Sequence, residues 1–563
     1  MPAQAKHTLD AAAVAALLRE LGQRIELLGD SPFKARAYFR AAESLLALTE
    51  PLPEVIAAGR LRGIPGVGEA IEEKILTLAE TGRHGTLERL REEVPASALD
   101  FLRIPGLTVP KARQLLQDLN IRDIEALEAA CRRDALANVR GFGPALQRRI
   151  LQGIEILRRS RGQRLVHHAE DLLTATAANL ARSHPELDRI EPAGDLRRGC
   201  ELVHDLAIIA RTPEAAASIG CISINNQVDL FVADPSRYGV ALLLATGSAA
   251  HLEELQAWAA AKGLSLGMDG LLRGRKLVSC AEEADVYAAL GLSFIAPELR
   301  EGAGEVARAA AGRLPDLVSS GDLRGVLHCH TTASDGVNSL AEMAEAARER
   351  GLQYFGVADH SRSAFYAGGL SLDEIAAQHA EADRLNKRWR GKFRILKGIE
   401  SDILADGALD YPDDVLASFD YVVASVHSRF RMEEAAQTER ILRAVANPYT
   451  TVLGHMTGRM LLRREGYELD IERVLAGCAE HGVAVEINAN PHRLDLDWRW
   501  HRRALELGCT LSINPDAHSV AELDLTRWGV LMARKGGVPA DRVLNAMDLK
   551  GISAFLQGRG QLR

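Results

Sequence analysis

The part of the sequence that follows Asp322 alternates short apolar segments with helical segments in a regular rhythm. Stretches rich in Ala, Glu, Arg and Leu, which are typical of helices, separate most of the apolar segments. Strands that alternate with helices in this way form a parallel sheet, and seven of them are enough to close a barrel. The seven predicted strands are 326–330, 354–360, 394–400, 421–427, 451–455, 483–488 and 509–516.

The last residues of these predicted strands share one property, which is a side chain able to bind a metal ion. The carboxyl ends of parallel strands in a barrel all lie at one face, so these side chains are expected to converge. Histidine and carboxylate ligands without cysteine suit zinc, manganese or iron, and a set this large predicts more than one ion. A lone buried histidine is usually structural, but the placement of the whole set favours a polynuclear hydrolytic site. The candidate ligands are His328, His330, His360, Glu400, His427, His455, Asp516 and His518, together with Asp335 on the loop after the first strand.

The segments that carry these residues resemble the motifs of the polymerase-and-histidinol-phosphatase (PHP) domain. They read HCHTTASDG, GVADHS, GIESDI, SVHS, GHMTGR, EINANPHRLD and NPDAHS. The resemblance covers about residues 322–563 and implies a distorted (β/α)7 barrel that binds three divalent metal ions, Mn or Zn and in some members Fe, through the nine residues above. Members hydrolyse phosphate mono- or diesters, so the fold leaves the substrate open. Arg459 and His492, near the expected mouth, are the candidates for holding the scissile phosphate.

Residues 1–160 are predicted to be almost entirely helical, and they repeat one type of turn at 63–68, 104–107 and 139–143. In each turn, glycines leave the backbone N–H groups free to approach a phosphate at the positive end of the helix that follows. A single copy is best explained as an ordinary connection between helices, but three copies favour DNA binding through the backbone. The second copy is the weakest, because Thr108 stands where a glycine is expected. The candidate DNA contacts are Gly63, Gly66, Gly68, Gly106, Lys111, Gly141, Gly143, Lys34 and Lys74.

Composition excludes several classes of protein. Apolar residues make up 47% and charged residues 26% of the chain, which is typical of globular proteins and not of disordered ones. No apolar stretch approaches the ~18–20 residues that span a bilayer, and seven scattered cysteines without a CxxC pair argue against a disulfide framework. A cytoplasmic protein without a membrane segment is expected.

Charge and histidine content differ between the two ends of the chain. The charge is +2 over residues 1–160 and −10 over the rest, and ten of seventeen histidines lie after residue 321. This distribution favours a DNA-contacting N-terminal region and a metal-binding C-terminal region.

A second resemblance lies between these two regions. The segments GDLRRGCELVHDLAIIA, QVDLFVAD, ATGS and FIAPELREGAGE resemble the motifs of family X DNA polymerases, and with the helical front the resemblance covers about residues 1–315. Together with the PHP domain, it matches the bacterial and archaeal architecture of that family. It implies a lyase-like helical 8-kDa domain at 1–85, a fingers-like helical domain at 86–163, a nucleotidyltransferase-like α+β palm at 164–240, a thumb at 241–318 and the PHP domain at 319–563.

The resemblance is incomplete at the polymerase site. Family members hold two Mg or Mn ions on three palm aspartates, of which Asp205 and Asp229 are present whereas Ala207 replaces the third. Asp195 replaces a serine that helps to bind the triphosphate, and Leu252 replaces an asparagine of the nucleotide pocket. We therefore expect weak or absent synthesis from dNTPs, although Glu201 or Asp195 is an alternative third ligand. The remaining candidates for binding the triphosphate are Arg197, Arg198 and Gly247.

The function expected from both resemblances is that of a DNA repair enzyme, in base excision repair for example. Its helical front would hold gapped or nicked DNA while the PHP domain trims 3′ ends as a 3′–5′ exonuclease. Lys74 stands where the family's lyase carries its Schiff-base lysine, but a plain helix lysine is favoured because Glu73 is adjacent. The alternatives are a bifunctional gap-filling polymerase and exonuclease, a non-catalytic DNA-binding scaffold, and a phosphatase of small molecules.

Overall fold

The computed structural model describes most of the 563-residue chain, namely residues 9–46, 51–160, 162–214, 218–224 and 228–560. The chain divides into two compact units. The first comprises residues 1–161 with 462–464, and the second comprises 162–461 with 465–563. Each unit contains its own clusters of buried apolar side chains. None of the helices described here is both long and apolar enough to cross a bilayer.

The first unit is helical throughout its described residues, as predicted. In its first helix, Asp10 accepts a hydrogen bond from the Ala13 amide at the start, and Gly29 takes a left-handed conformation at the end. Leu18 and Leu21, on the apolar face of that helix, are fully buried. The α-helices described in this unit are α1 (Ala11–Leu28), α2 (Pro32–Leu46), α3 (Leu52–Ala57), α4 (Glu69–Thr81), α5 (Gly85–Glu93), α6 (Ala96–Leu99), α7 (Val109–Gln117), α8 (Ile124–Arg132) and α9 (Pro144–Arg159).

The second unit begins with an α+β region. Its strands are β1 (Arg164–Leu165), β2 (Asp188–Ala193), β3 (Leu202–Val203), β4 (Leu206–Arg211), β5 (Gly220–Ile224), β6 (Val228–Ala233), β7 (Leu264–Gly267), β8 (Gly270–Arg273) and β9 (Lys276–Val278). Its α-helices are α10 (Val166–Ser183), α11 (Gly194–Arg197), α12 (Tyr238–Thr246), α13 (Ala249–Ala261), α14 (Glu283–Ala289) and α15 (Glu305–Ala310). A four-stranded sheet has the order β2-β4-β6-β5, and β7, β8 and β9 form a second sheet. Within the four-stranded sheet, β4 and β6 pair in parallel.

The remainder of the second unit is a nearly closed parallel barrel. Its strands are β10 (Gly325–Val326), β11 (Tyr354–Val357), β12 (Arg394–Asp402), β13 (Tyr421–Ser425), β14 (Thr450–Leu453), β15 (Ala484–Asn488) and β16 (Leu511–Asn514). They pair in consecutive order and in parallel, and a bridge between Cys329 and Ala517 joins the segments that follow the first and last strands. The seven predicted strands and the barrel architecture are therefore confirmed.

Helices cover the outside of this barrel. Ser339 with Glu342, and Ser371 with Glu374, form capping boxes at the starts of the first two long helices. The α-helices are α16 (Leu340–Glu349), α17 (Leu372–Arg388), α18 (Asp413–Leu416), α19 (Glu434–Ala446), α20 (Ile471–Glu480), α21 (His501–Leu507), α22 (Thr526–Lys535) and α23 (Leu549–Gly560).

Several barrel strands end earlier than predicted. The first strand stops at Val326, although the chain beyond it still pairs: the Ala358 amide donates to the Cys329 carbonyl and the His330 amide donates to the Ala517 carbonyl, both at 2.8 Å. The ladder becomes irregular where the chain carries the histidines. The carboxyl ends therefore open into loops, and these loops form the mouth of the barrel.

Candidate metal centre

The nine predicted ligands occupy the carboxyl end of the barrel. Glu400 lies within β12, whereas the others follow the ends of β10, β11, β13, β14 and β16 within a few residues, except for Asp335 on the first loop. Asp516 takes a left-handed backbone conformation with φ +52°, which is rare for a residue other than glycine and is typical of functional sites. Six separate strands thus contribute to one cluster.

The structure brings all nine predicted ligands together. They form four overlapping groups, and within each group one possible ligand atom of every residue lies within 4.8 Å of the others. Neighbouring groups share residues, because four side chains each belong to two groups: Glu400, His328, His330 and His360. The groups are His330–Asp335–His360–His518, His328–His330–Glu400, His328–His455–Asp516 and His360–Glu400–His427.

Glu400 is the central acid of the cluster. Its Oε2 lies 2.9 Å from His360 Nδ1, and its Oε1 lies 3.0 Å from His455 Nε2. The same Oε1 lies 3.3 Å from the Nε2 atoms of both His328 and His427. A carboxylate with imidazoles on several sides is placed to bridge neighbouring cations.

Two buried carboxylates that sequence reasoning missed orient the histidines. His328 Nδ1 donates to Glu486 on β15 and His427 Nδ1 donates to Asp402 on β12, both at 2.6 Å. Such bonds fix the imidazole tautomer and direct the Nε2 lone pair into the cluster. The signal available in the sequence was the i, i+2 spacing of Glu400 and Asp402, which places both on one side of a strand.

The electrostatics of the cluster favour ionised acids. Burial raises the pKa of Glu400, but the imidazoles of His427, His328 and His360 outweigh it and hold that pKa well below its usual value. The same balance holds the pKa of Asp516 well below its usual value, through burial opposed by His328 and His330. These acids are therefore anionic at neutral pH and able to bind cations.

The residues present fit a set of divalent metal ions. Nε2 of His328 and both ring nitrogens of His330 are buried without a well-aligned hydrogen bond. Unpartnered nitrogen atoms in the interior of a protein are costly unless a ligand meets them. The donor set of imidazole and carboxylate, without thiolate, is that of zinc, manganese or iron sites.

The two candidates for holding the scissile phosphate have different surroundings. The Arg459 guanidinium donates to the carbonyls of Arg493 and Leu494 and pairs with Asp497 at 2.6 Å, so it pins the 493–497 loop. His492 is not a member of the four groups, and its ring meets the His167 ring edge-on at 5.1 Å. Arg493 instead has its Nε 3.6 Å from Asp516 Oδ2, which places a cation beside the cluster. The expectation for Arg459 does not fit these contacts.

The palm places its two aspartates around an apolar position. Ala207 on β4 is in register with Asp229 on β6, and both Asp205 and Asp229 are exposed. Ala207 is 5% exposed and belongs to the core of the palm and thumb. Among the described residues, every group of three or more metal-capable side chains lies in the barrel. The third carboxylate position is therefore apolar and closed.

Both arginines expected to meet a triphosphate form internal ion pairs. Arg197 makes a bidentate pair with Glu283 at 2.7 and 2.8 Å. Arg198 is buried, pairs with Asp195 and donates to the Thr246 carbonyl at 2.6 Å. Neither guanidinium points freely toward a nucleotide site, so the expectation for this pair does not fit the structure.

The two alternative third ligands are also engaged. Asp195 Oδ2 accepts from the amides of His204 and Asp205 at 2.8 Å, which shapes the turn before β4. Glu201 accepts from Trp498 Nε1 at 2.9 Å and pairs with Arg499 at 2.6 Å, both from the barrel. Each carboxylate thus has a structural role.

Leu252 lies close to Gly247, which is predicted to contact a triphosphate. A Cβ on Gly247 would lie 2.9 Å from Leu252 Cδ2. Leu252 also packs against the apolar core of this region. An aliphatic side chain therefore fills the space beside Gly247.

The three predicted turns each precede a helix as expected. Gly66, Gly106 and Gly141 have φ between +82° and +85°, a region that favours glycine, whereas Gly68 and Gly143 are the N-cap residues of α4 and α9. Gly63 has open space around it, with no heavy atom within 4 Å of an added Cβ. The turns thus have the backbone geometry that the sequence predicts.

The turns differ in charge. The first turn of α4 carries Glu69 and Glu72, whereas the first turns of α7 and α9 carry no acid. An acid at a helix N-terminus competes with an incoming phosphate. The three turns therefore differ in local charge, and their ranking as DNA contacts stays a prediction.

The three candidate lysines have local partners. Lys34 is exposed and pairs with Asp30 at 3.2 Å. Lys74 donates to the Ala70 carbonyl at 3.2 Å, as a plain helix lysine does. Lys111 donates to the Arg140 carbonyl at 3.2 Å, so it connects the second turn with the third.

Comparison with known proteins agrees with this architecture. Three family models match: the helix-hairpin-helix domain over residues 10–84, the DNA polymerase beta thumb over 241–301 and the PHP domain over 327–490. Two probable phosphatases, from Thermoanaerobacter sp. (strain X514) and Vibrio campbellii, are 27% and 30% identical over 247 and 256 residues. These matches cover 41% and 43% of this chain and 93% and 95% of the relatives.

A longer relative matches almost the whole chain. The Bacillus subtilis (strain 168) protein named DNA polymerase/3′-5′ exonuclease PolX is 34% identical over 566 residues, which cover 96% of this chain and 98% of the relative. The match therefore includes the helical front, the palm and thumb, and the barrel in one order. The chain belongs to the family X DNA polymerases that carry a C-terminal PHP domain.

Proposed function

We propose that this protein is a DNA repair enzyme that trims 3′ ends by metal-dependent 3′–5′ exonuclease chemistry in the barrel. The observation that carries this proposal is the convergence of nine imidazole and carboxylate side chains at one mouth. A purely structural metal site uses about four ligands in a closed shell, which such a cluster exceeds. The non-catalytic scaffold is therefore disfavoured.

The residues of the mouth divide the work. Divalent ions bound here would acidify a water molecule and offset the negative charge that develops on the phosphate. His328, His330, Glu400 and the other members of the four groups would hold the ions. Glu486 and Asp402 keep the imidazoles oriented, and the Arg493 guanidinium can neutralise a phosphate oxygen at the rim.

The helical front supports DNA as the substrate. Its glycine turns and helix N-termini are suited to binding a sugar-phosphate backbone, and they have no role in the binding of a small phosphate ester. The name of the Bacillus subtilis relative, which includes a 3′-5′ exonuclease, supports the same substrate. Gapped, nicked or otherwise 3′-ended DNA fits this combination. The seven free cysteines support a cytoplasmic location.

We also propose that the palm synthesises DNA weakly or not at all. Ala207 at the third carboxylate position and the internal pairing of Arg197 and Arg198 support this proposal. A bifunctional polymerase and exonuclease is the second candidate. The name of the Bacillus subtilis relative, which includes a DNA polymerase, and the retained Asp205 and Asp229 favour it.

One experiment tests the exonuclease. The protein is incubated with Mn²⁺ and with single-stranded and gapped DNA that carries a label away from the 3′ end, beside His330→Ala and the matched control His184→Ala. His184 is an exposed palm histidine paired with Glu186. Stepwise shortening by the wild type and by His184→Ala, but not by His330→Ala, is the expected result. Phosphate release from histidinol phosphate without DNA shortening would instead support a phosphatase.

A gapped primer tests the palm. With dNTPs and Mn²⁺, the expected result is little or no extension by a variant that lacks the exonuclease, His330→Ala. Extension at the rates of an active polymerase would reject the weak-palm proposal and support the bifunctional candidate.

A further inference from the structure

The rim of the barrel mouth carries exposed apolar side chains. Among the described residues, nine large hydrophobic side chains are exposed, and four of them lie in the barrel. All four lie on or next to the loops that follow β10 and β11. Large apolar groups are placed in water at a cost and commonly mark binding surfaces. They are Val337, Phe365, Tyr366 and Leu372.

The two aromatic residues are the most prominent of the four. Phe365 is 85% exposed and Tyr366 is 64% exposed, and their ring centroids lie 6.2 Å apart. The Tyr366 ring lies 6.5 Å from the ring of His360, a member of the metal cluster. The Tyr366 ring therefore lies next to a residue that is expected to bind a metal ion.

The loop that presents them is held rigidly. The Arg362 amide donates to the Tyr411 hydroxyl at 3.0 Å, and the Ser363 amide donates to Asp410 at 2.5 Å. The Ser363 hydroxyl donates to Asp402, the acid that orients His427, at 3.0 Å. The backbone just before the aromatic pair is thus tied to the barrel and to the cluster.

The close packing of this loop depends on glycine. A Cβ on Gly369 would lie only 1.9 Å from the Ser361 carbonyl oxygen. Ala364, directly before the aromatic pair, is fully buried. Because the backbone is already ordered, little conformational entropy of the loop is lost when a ligand stacks on the rings.

We propose that Phe365 and Tyr366 form a stacking platform for unpaired bases at the 3′ end of DNA. This inference rests on the proposed exonuclease function and deepens it. Aromatic side chains bind single-stranded nucleic acid by stacking on bases without regard to sequence. A base can stack there only when it has left the duplex, so the platform selects frayed, mismatched or single-stranded 3′ ends.

The test compares DNA that ends in a normal nucleotide with DNA that ends in an abasic one. For the wild type, removal of the terminal base is expected to lower kcat/KM about 10- to 100-fold. In the Phe365→Ala/Tyr366→Ala variant, that difference is expected to vanish, with both ends cut at a rate close to that of the wild type on the abasic end. Equal rates on both ends by the wild type, or a base effect that persists in the variant, would reject the platform.

Two further variants separate aromatic stacking from general apolar contact. Phe365→Leu/Tyr366→Leu keeps apolar surface but lacks aromatic faces, whereas Phe365→Trp/Tyr366→Trp keeps both. Loss of the base effect in the Leu variant with retention in the Trp variant is expected. Full retention in the Leu variant would reject aromatic stacking in favour of a general apolar contact with the base.

A binding measurement distinguishes this inference from the proposed function. Fluorescence anisotropy follows binding of a single-stranded oligonucleotide whose terminal linkage is a phosphorothioate, with and without the last base. A base effect on affinity that disappears in the Ala variant supports the platform even if no DNA is cut, in which case the exonuclease proposal alone fails. An affinity that ignores the last base in the wild type rejects the platform.

Discussion

Glu400 is the acid that the imidazoles of the cluster surround, and Asp402, two residues later, orients one of those imidazoles. Replacement of each acid by its neutral amide is expected to have a different effect at the two positions. Glu400→Gln removes a central anionic ligand, whereas Asp402→Asn leaves an oxygen that still accepts from His427. Removal of an orienting partner typically costs 10- to 100-fold in activity or metal affinity, and removal of a ligand costs more.

We therefore expect Glu400→Gln to abolish measurable exonuclease and to lower bound metal. Asp402→Asn is expected to reduce kcat about 10- to 100-fold with most of the metal retained. Exonuclease rates and metal content by atomic spectroscopy check both changes. Equal effects of the two variants would contradict a central role for Glu400.

The histidines of the cluster predict a pH dependence of stability. Burial lowers their pKa, but Glu400 beside His360 and His427, and Asp335 beside His518, raise it to about 10, 9 and 9. These values exceed the usual 6.5, so protonation stabilises the metal-free fold below about pH 6.5 and that contribution is lost as the pH rises toward 9–10. Metal ions replace the lost protons.

The melting temperature in EDTA is therefore expected to fall between about pH 6.5 and pH 8.5, and Mn²⁺ is expected to remove this fall. The stabilisation by Mn²⁺ thus grows with pH. Differential scanning fluorimetry at both pH values, with the His330→Ala variant as control, measures it. A Mn²⁺ effect that is constant or decreases with pH would contradict the proton–metal competition.

At the scale of elements, the second and third turns act as a pair. A Cβ on Gly153 of α9 would lie 2.6 Å from the Pro105 carbonyl oxygen, so α9 packs closely on the second turn. Lys111 reaches from α7 to the third turn. Arg148 is exposed on α9, and no acid stands in the first turn of that helix. This pair is therefore the expected site of backbone binding.

Arg148→Gln is expected to weaken DNA binding severalfold and to reduce the slope of log K against log salt by about 0.9, as expected for one lost phosphate contact. Fluorescence anisotropy over a range of salt concentrations provides the measurement. Arg348→Gln, which removes a barrel arginine paired with Glu345, serves as the control. An unchanged salt slope in Arg148→Gln would show that this helix does not contact phosphate.

Much of the element scale was predictable because its causes are local. Alternation of apolar segments located the seven barrel strands, and parallel pairing then placed His330 beside Glu400 without further information. The roles of Arg197 and Arg198 were not predictable in this way. Their partners Glu283 and Glu301 lie 86 and 103 residues further along the chain, and nothing local marks those acids as their partners.

The palm element carries its own prediction. Ala207→Asp restores the family's third aspartate, but the new carboxylate would enter a packed core, where Gly194 lies close to Ala207. An unpaired carboxylate in such a position is costly, and Arg197 and Arg198 would remain engaged. We expect a lower melting temperature and no gain in gap filling. Primer extension by Ala207→Asp above the level of the starting protein would contradict this view of the palm.

At the scale of the whole second unit, the barrel is fastened to the palm and thumb through helix α22. Three of its basic residues pair with acids outside the barrel: Arg527 with Glu170, Arg534 with Glu298, and Lys535 with Glu301. Lys535 also donates to the Arg198 carbonyl at 3.0 Å. The palm segment that family members use for the triphosphate thus holds the barrel in this protein.

Lys535 is the most buried of these three basic residues, with a side chain that is 1% exposed. Lys535→Met keeps the aliphatic stem but removes the ammonium group from Glu301 and from the Arg198 carbonyl, so that Glu301 keeps only the Arg198 guanidinium, at 3.3 Å. Because Glu301 retains some access to water, the expected loss is about 2–3 kcal/mol, less than for a fully buried pair.

The melting temperature of Lys535→Met is therefore expected to fall by several degrees, whereas Lys550→Met, at an exposed lysine of α23, is expected to leave it unchanged. The metal cluster does not involve Lys535, so exonuclease activity well below the melting temperature is expected to persist. Thermal unfolding and exonuclease assays on both variants separate the two effects. If Lys535→Met has the melting temperature of the wild type, the Lys535 ion pair does not stabilise the contact between the barrel and the thumb.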